Sequence, residues 1–242
     1  MKMIRRWLGV LTLLATVCGL RAGIPGYVNF TFQPGDNLFG NPLYNPPHLL
    51  SSLITSAPTG TTVSLWNSTS RAFTTTSTWN GSTWSDNLTL DPGTGALLHT
   101  PSMFETTFVG TVLNFDGSVY NGDLTEPPAF SGANGIYLLA SRAPVELSGH
   151  VFDPVASEYS VFEALIGRAP HDGEQVTTLD PLTQAYTTTT FINGAWNNGD
   201  PTLAIGEAAF VNIGAVPEPT AIGLFAAGLG VWALRRRQSR SS

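Results

Sequence analysis

The sequence predicts an all-β body of two related β-repeats, sandwich or barrel-like, flanked by an N-terminal signal helix and a short C-terminal transmembrane helix. Three observations lead there. Apolar and polar residues alternate through Tyr27–Phe32 and Thr62–Trp66, which is the period of a half-buried strand. The hairpin dipeptides Asn80-Gly81, Asp116-Gly117, Asn121-Gly122 and Asn193-Gly194 punctuate the chain, while Asn45-Pro46-Pro47 and Glu126-Pro127-Pro128 break any helix. Finally, Ser70–Gly81 recurs at an offset of 113 residues as Thr183–Gly194, with six of the twelve positions identical.

The elements follow in chain order. Residues 1–22 read as a signal peptide: Lys2, Arg5 and Arg6 precede the uncharged stretch Trp7–Leu20, which is short for a membrane span. Gly19, Ala22 and Gly23 offer cleavage points, with cleavage expected after Ala22. Cys18 is the single cysteine, and Val17 before it is not the small residue that a lipidated cysteine needs, so Cys18 is expected to leave with the signal. Such a segment implies a secretion translocon and signal peptidase as partners.

Residues 23–130 form the expected first repeat and 131–216 the second, across a turn-rich junction at about 116–134. Beyond the twelve-residue match, Val63 aligns with Val176, and Trp84 meets Trp196 after a one-residue slip. Gly95-Ala96-Leu97-Leu98 corresponds to Gly206–Val211, which sets His99 against Phe210. Phe104–Leu113 reads as a further β segment, and no amphipathic helix of substantial length appears between 23 and 216.

Residues 217–242 have three parts: Pro217-Glu218-Pro219, an uncharged stretch rich in Gly and Ala, and the cluster Arg235-Arg236-Arg237. From Pro219 to Leu234 the chain could form a helix about 24 Å long, against a hydrocarbon core of about 30 Å. It would span only with local thinning, its arginines on the cytoplasmic side. A proline on each side of Glu218 holds the backbone extended, the form a protease groove accepts. Glu218 thus reads as a recognition element.

The net charge of −6 divides unevenly. Both ends are basic, whereas 23–216 carries −13, sixteen acids against Arg71, Arg142 and Arg168 with no lysine. That body has no positive stripe for a phosphate backbone, which excludes nucleic acid as a partner. Lacking cysteine, it also has no disulfide framework, Cys-ligated zinc or Cys nucleophile.

No catalytic set stands out. His48, His99, His150 and His171 show no ligand-pair spacing, and neither a nucleophile elbow nor a phosphate loop ending in lysine is present. Asp116–Asp123 has the oxygen-rich character of a hard-cation loop, and equally that of consecutive hairpin turns. Glu105, Glu158 and Glu163 would need distant strands to bring them together for glycoside hydrolysis. The expectation is therefore a non-enzymatic protein without metal or cofactor. Trp79, Trp84 and Trp196 remain as candidate glycan contacts or, like Trp66, as core anchors.

The tail resembles the PEP-CTERM protein-sorting domain: the Pro-Glu-Pro triplet at 217–219, a short helix containing Gly223, Gly228 and Gly230, and the terminal arginines occur in its order. The resemblance implies processing by an exosortase, transient insertion in the inner membrane, and delivery to the cell surface or extracellular matrix of a Gram-negative bacterium that makes exopolysaccharide. Gly35-Asp-Asn-Leu-Phe-Gly-Asn-Pro-Leu43 resembles the Gly-Trp-Asn-Leu-x-x-Asn-Pro opening of β-repeats on bacterial surface proteins, with Asp36 in place of Trp. The second copy keeps this opening poorly around Ile136–Leu139. This resemblance implies architecture and surface location, with no active site.

Overall fold

The computed structural model describes residues 23–214 apart from Asp123, Glu126 and Pro154. The expected signal helix (1–22) and the transmembrane helix within 217–242 lie outside the described residues. Among the described residues, the chain is mostly β: β1 (Pro25–Phe32), β2 (Gly35–Gly40), α1 (Leu50–Leu53), β3 (Thr62–Asn67), β4 (Ala72–Thr78), β5 (Gly95–Thr100), β6 (Phe104–Thr111), β7 (Gly135–Ala140), α2 (Val161–Ile166), β8 (Gln175–Asp180), β9 (Ala185–Ile192), β10 (Ala195–Trp196) and β11 (Ala208–Ile213). No helix among them is long and apolar enough to cross a membrane.

The strands form a two-stranded ribbon, β1-β6, a four-stranded sheet in the order β2-β5-β3-β4, and a five-stranded sheet in the order β10-β9-β8-β11-β7. All pairings within them are antiparallel. Alternation decides which face each strand buries. In β1, Phe32 is fully buried while Tyr27, Asn29 and Thr31 face outward. The ribbon lays Phe32 and Phe108 against Phe39 of β2 and Leu98 of β5, closing the first core. Local chemistry sets the turns. Asn193 and Gly194 both take positive φ, 52° and 83°, so β9 and β10 meet through the two-residue turn that Asn-Gly favours. Around β2, the buried Asn37 accepts a hydrogen bond from the Gln33 amide and donates to the Gln33 and Gly35 carbonyls, while buried Asn41 binds the Leu43 amide and the Leu90 carbonyl. These two asparagines bracket the strand by satisfying backbone groups that the sheet leaves unpaired.

The two larger sheets share a strand order: β2-β5-β3-β4 matches β7-β11-β8-β9. Their registers agree too, Val63 pairing with Leu98 and Val176 with Val211. This register places Ala208 where Gly95 stands and Asn212 where His99 stands, two residues away from the correspondence expected for Gly206 and Phe210. The glycine equivalent to Gly206 is Gly93, not Gly95: both take positive φ (84° and 96°) at a bend before the strand, at the same 113-residue offset as Ser70–Gly81 and Thr183–Gly194.

The sheets meet at these bends. Gly40 donates its amide to the Gly206 carbonyl (2.9 Å), and Ala140 donates to the Gly93 carbonyl (3.1 Å). Bridges Phe39–Glu207 and Thr94–Leu139 accompany the exchange. A Cβ on Gly40 would collide with that of Ala140, so only glycine permits this approach. Leu38, Leu138, Ala140, Leu179 and Ala208 fill the seam, with Trp66, Phe73, Leu97 and Phe210 around them. Each sheet therefore buries one face in its own core and part of the other against its neighbour. The second core gathers Val176, Val211 and Ile213 with Val161, Phe162 and Ile166 of α2.

Candidate functional site

Trp79 and Trp84 pair across a bridge that closes the loop after β4. Asn80 shapes this loop: its side-chain oxygen accepts from the Ser82 and Thr83 amides, while Gly81 takes φ 103°. The two indoles lie 5.5 Å apart at 59°. Both are buried, at 6% and 7% exposure, and the Trp84 ring N–H donates to the Ile54 carbonyl at 2.9 Å. They anchor the first core, yet their edges also line an open cavity of about 300 Å³ with Ser51, Thr55, Ser82, Thr83 and Asn87. No charged residue lines it. Indole edges beside hydroxyls and an amide could receive a neutral polyhydroxylated ligand, with apolar contact on one side and hydrogen bonds on the other.

Trp196 is not brought to this cavity. It is buried in the second core against Phe162 (6.1 Å) and Phe191 (5.3 Å). The counterpart of Trp79 there is the half-exposed Ile192, so a matching indole pair does not form. Trp66 sits in the seam, its ring N–H bonded to the Ile136 carbonyl. The polar wall of the cavity escaped the sequence reading because Ser and Thr are abundant throughout.

Three of the four histidines lie beside carboxylates, and the fourth, His48, is buried next to Asn41. Asp36 accepts from the His99 ring at 2.7 Å, and its backbone is clasped by Gln184 from the β8–β9 turn. The exposed His150 lies beside Asp200 at 3.0 Å, a hydrogen bond that raises its pKa above the usual histidine range. His171 belongs to a cluster in which Arg168 grips the buried Glu174 with two nitrogens, at 2.6 and 2.8 Å, and the His171 amide adds a third bond. Burial pushes the Glu174 carboxyl up, but the Arg168 and His171 hydrogen bonds and their charges outweigh it and hold its pKa below the usual range. Arg168 also lies over the Phe162 ring at 5.4 Å. Such a clamp suits a structural tie between the end of α2 and the start of β8.

Among the described residues, no three His, Cys, Asp or Glu side chains form a group able to hold a metal. In the 116–123 segment, Asp116 accepts from the Ser118 amide and hydroxyl, the geometry of a turn. Pro217, Glu218, Pro219 and Arg235, Arg236 and Arg237 lie outside the described residues. The chain approaches them from β11, which is flanked by β8 and β7 and ends at Ile213.

Residues 215–237 match the PEP-CTERM protein-sorting motif. No curated protein and no solved structure matches the chain. The matched segment indicates exosortase-dependent sorting of an exported protein of the Gram-negative cell envelope.

Proposed function

We propose that this chain is a non-enzymatic surface or extracellular-matrix protein, whose folded β-body is the cargo and whose terminal segments are its address. The observation that carries this reading is the sorting motif at 215–237, joined directly to a compact body. On this reading the signal peptide 1–22 is removed during export, the tail enters the inner membrane transiently, and the exosortase cuts near Pro217-Glu218-Pro219. The common strand order, the equal register and the exchanged bonds between the two sheets support an internal duplication, with repeats at 23–130 and 131–216. Asn37 and Asn41, which hold the backbone around β2, lie in the Gly35–Leu43 segment likened to bacterial surface β-repeats. In paired hosts with and without the exosortase, the body is expected in the extracellular fraction only in the first. Equal release from both hosts would overturn the sorting assignment.

A second reading is favoured by the cavity beside Trp79 and Trp84: a carbohydrate-binding module for exopolysaccharide. Its neutral, hydroxyl-rich wall supports a neutral saccharide. Trp84→Ala is a poor test, because emptying a buried indole costs about 3–5 kcal/mol and would unfold the site. Thr55→Trp instead fills the cavity from an exposed position. Retention on neutral polysaccharide in affinity electrophoresis is expected to fall at least fivefold in Thr55→Trp. No retention of the wild-type protein across neutral glycans would end this reading.

A further inference from the structure

A second cavity, of about 320 Å³, lies in the other half of the molecule beside Gly93. Pro127, Pro128, Phe130, Leu139 and Leu165 give it one apolar side, while Arg142, Ser131 and backbone groups make the rest of the wall about equally polar. We propose that this cavity binds a small monocarboxylate with an apolar body, and that Arg142 holds the carboxylate.

The argument begins with the arginine. Of the three cations in the body, Arg168 is committed to Glu174. Arg142 forms no ion pair and no hydrogen bond with the described residues, although acids outnumber cations sixteen to three in the body. Its side chain is placed by missing side chains. A Cβ on Gly93 would lie 2.9 Å from the Arg142 Nε and 3.1 Å from its Cγ, and one on Gly117 would lie 3.8 Å from its Cδ. Two glycines thus let the exposed arginine lie along the backbone, its planar fork unpaired among the described residues. Guanidinium forks are suited to carboxylate and phosphate oxygens.

The exchanged backbone bonds supply an internal comparison. Gly206 bonds Gly40 in one half, as Gly93 bonds Ala140 in the other. Beside Gly206 the space is occupied: a Cβ there would meet the Phe30 ring at 2.9 Å and Pro42 at 3.9 Å. Pro42 follows Gly40 by two residues, as Arg142 follows Ala140. At the same place in the second half a cation replaces the proline, and Phe130, which precedes Ala140 as Phe30 precedes Gly40, lines a cavity beside Gly93.

Size and charge narrow the ligand. At about 30 Å³ per water, the cavity offers room for roughly ten heavy atoms. The apolar side formed by Pro127, Pro128, Phe130, Leu139 and Leu165 suits a short hydrocarbon chain or a single ring beyond the charged end. The strongly acidic body disfavours a dianion by long-range repulsion, leaving a monocarboxylate as the best match to one arginine.

The test is calorimetric titration of the purified chain with octanoate, below its micellar range, and with octan-1-ol. Wild type is expected to bind one octanoate per chain and to bind octan-1-ol at least tenfold more weakly. Arg142→Gln should weaken octanoate at least tenfold. Ala129→Trp, introduced at an exposed position on the cavity wall, should abolish it with an unchanged circular dichroism spectrum. Absence of binding to wild type, equal binding of acid and alcohol, or full binding in either variant would overturn the assignment.

Discussion

Replacing Glu218 by Ala in the natural host should leave a C-terminal epitope tag on nearly all of the protein, whereas the unaltered chain should lose it. The expected effect is close to all-or-none, because the substitution removes the one charged side chain between Pro217 and Pro219 while keeping both prolines. A protease that reads an extended strip identifies it by side-chain pockets as well as by backbone bonds. Glu218→Gln keeps the shape and removes the charge, and should fail nearly as completely if a cationic pocket receives the carboxylate. Immunoblots for the tag and for the body, taken from membrane and extracellular fractions, give the readout. Equal tag loss in Glu218→Ala would place recognition elsewhere in 215–237.

The second large effect concerns stability. Arg168→Ala should cost about 3 kcal/mol at neutral pH, since removing one partner of a buried pair leaves an uncompensated charge. The figure is taken at the low end because Arg168 is partly exposed and the His171 amide bond to Glu174 survives. For a body of this size, that corresponds to a fall of roughly 6–12 °C in Tm. The pH dependence follows from the lowered pKa of Glu174. A carboxylate whose folded pKa lies below its unfolded value of about 4.3 contributes stability above that value, and the contribution fades as pH falls through the folded pKa. The deficit of Arg168→Ala should therefore be largest at pH 7 and shrink at pH 3, where Glu174 is neutral in the variant. Urea midpoints at the two pH values measure this. An unchanged deficit would mean that Arg168 acts through its packing on Phe162 instead of its charge. Replacing the pair by Arg168→Met with Glu174→Leu should recover most of the loss, because apolar groups need no such partners.

How much of this was legible follows from range. Alternation through Tyr27–Phe32 marked β1, and Asn193-Gly194 marked the β9–β10 turn, because both depend on neighbouring residues. The partner of β1 is β6, about 80 residues away, and nothing local in either strand names the other. Likewise, Trp79 and Trp84 were visible as aromatics, but whether an indole faces solvent or core is decided by the ribbon and α1 closing over it. The bends at Gly93 and Gly206 were harder still. Matching Gly95 instead of Gly93 to Gly206 slips the equivalence of β5 and β11 by two residues, a slip that leaves inward and outward faces unchanged and so escapes any test by alternation. Arg142 was counted only as a charge. Its isolation depends on two glycines distant in sequence.

The interior position of β11 bears on the order of events during export. From Ile213 to Pro217 the chain advances four residues, at most about 14 Å when fully extended. Once β11 is hydrogen-bonded between β8 and β7, the start of the Pro-Glu-Pro strip is tethered within that radius of a folded surface. An enzyme groove recessed more deeply must act while the final strand is still unpaired, and one that acts later must lie almost flush with the body. Export delivers β11 last of all the strands, so completion of the second sheet and severing of the tail compete for the same short length of chain.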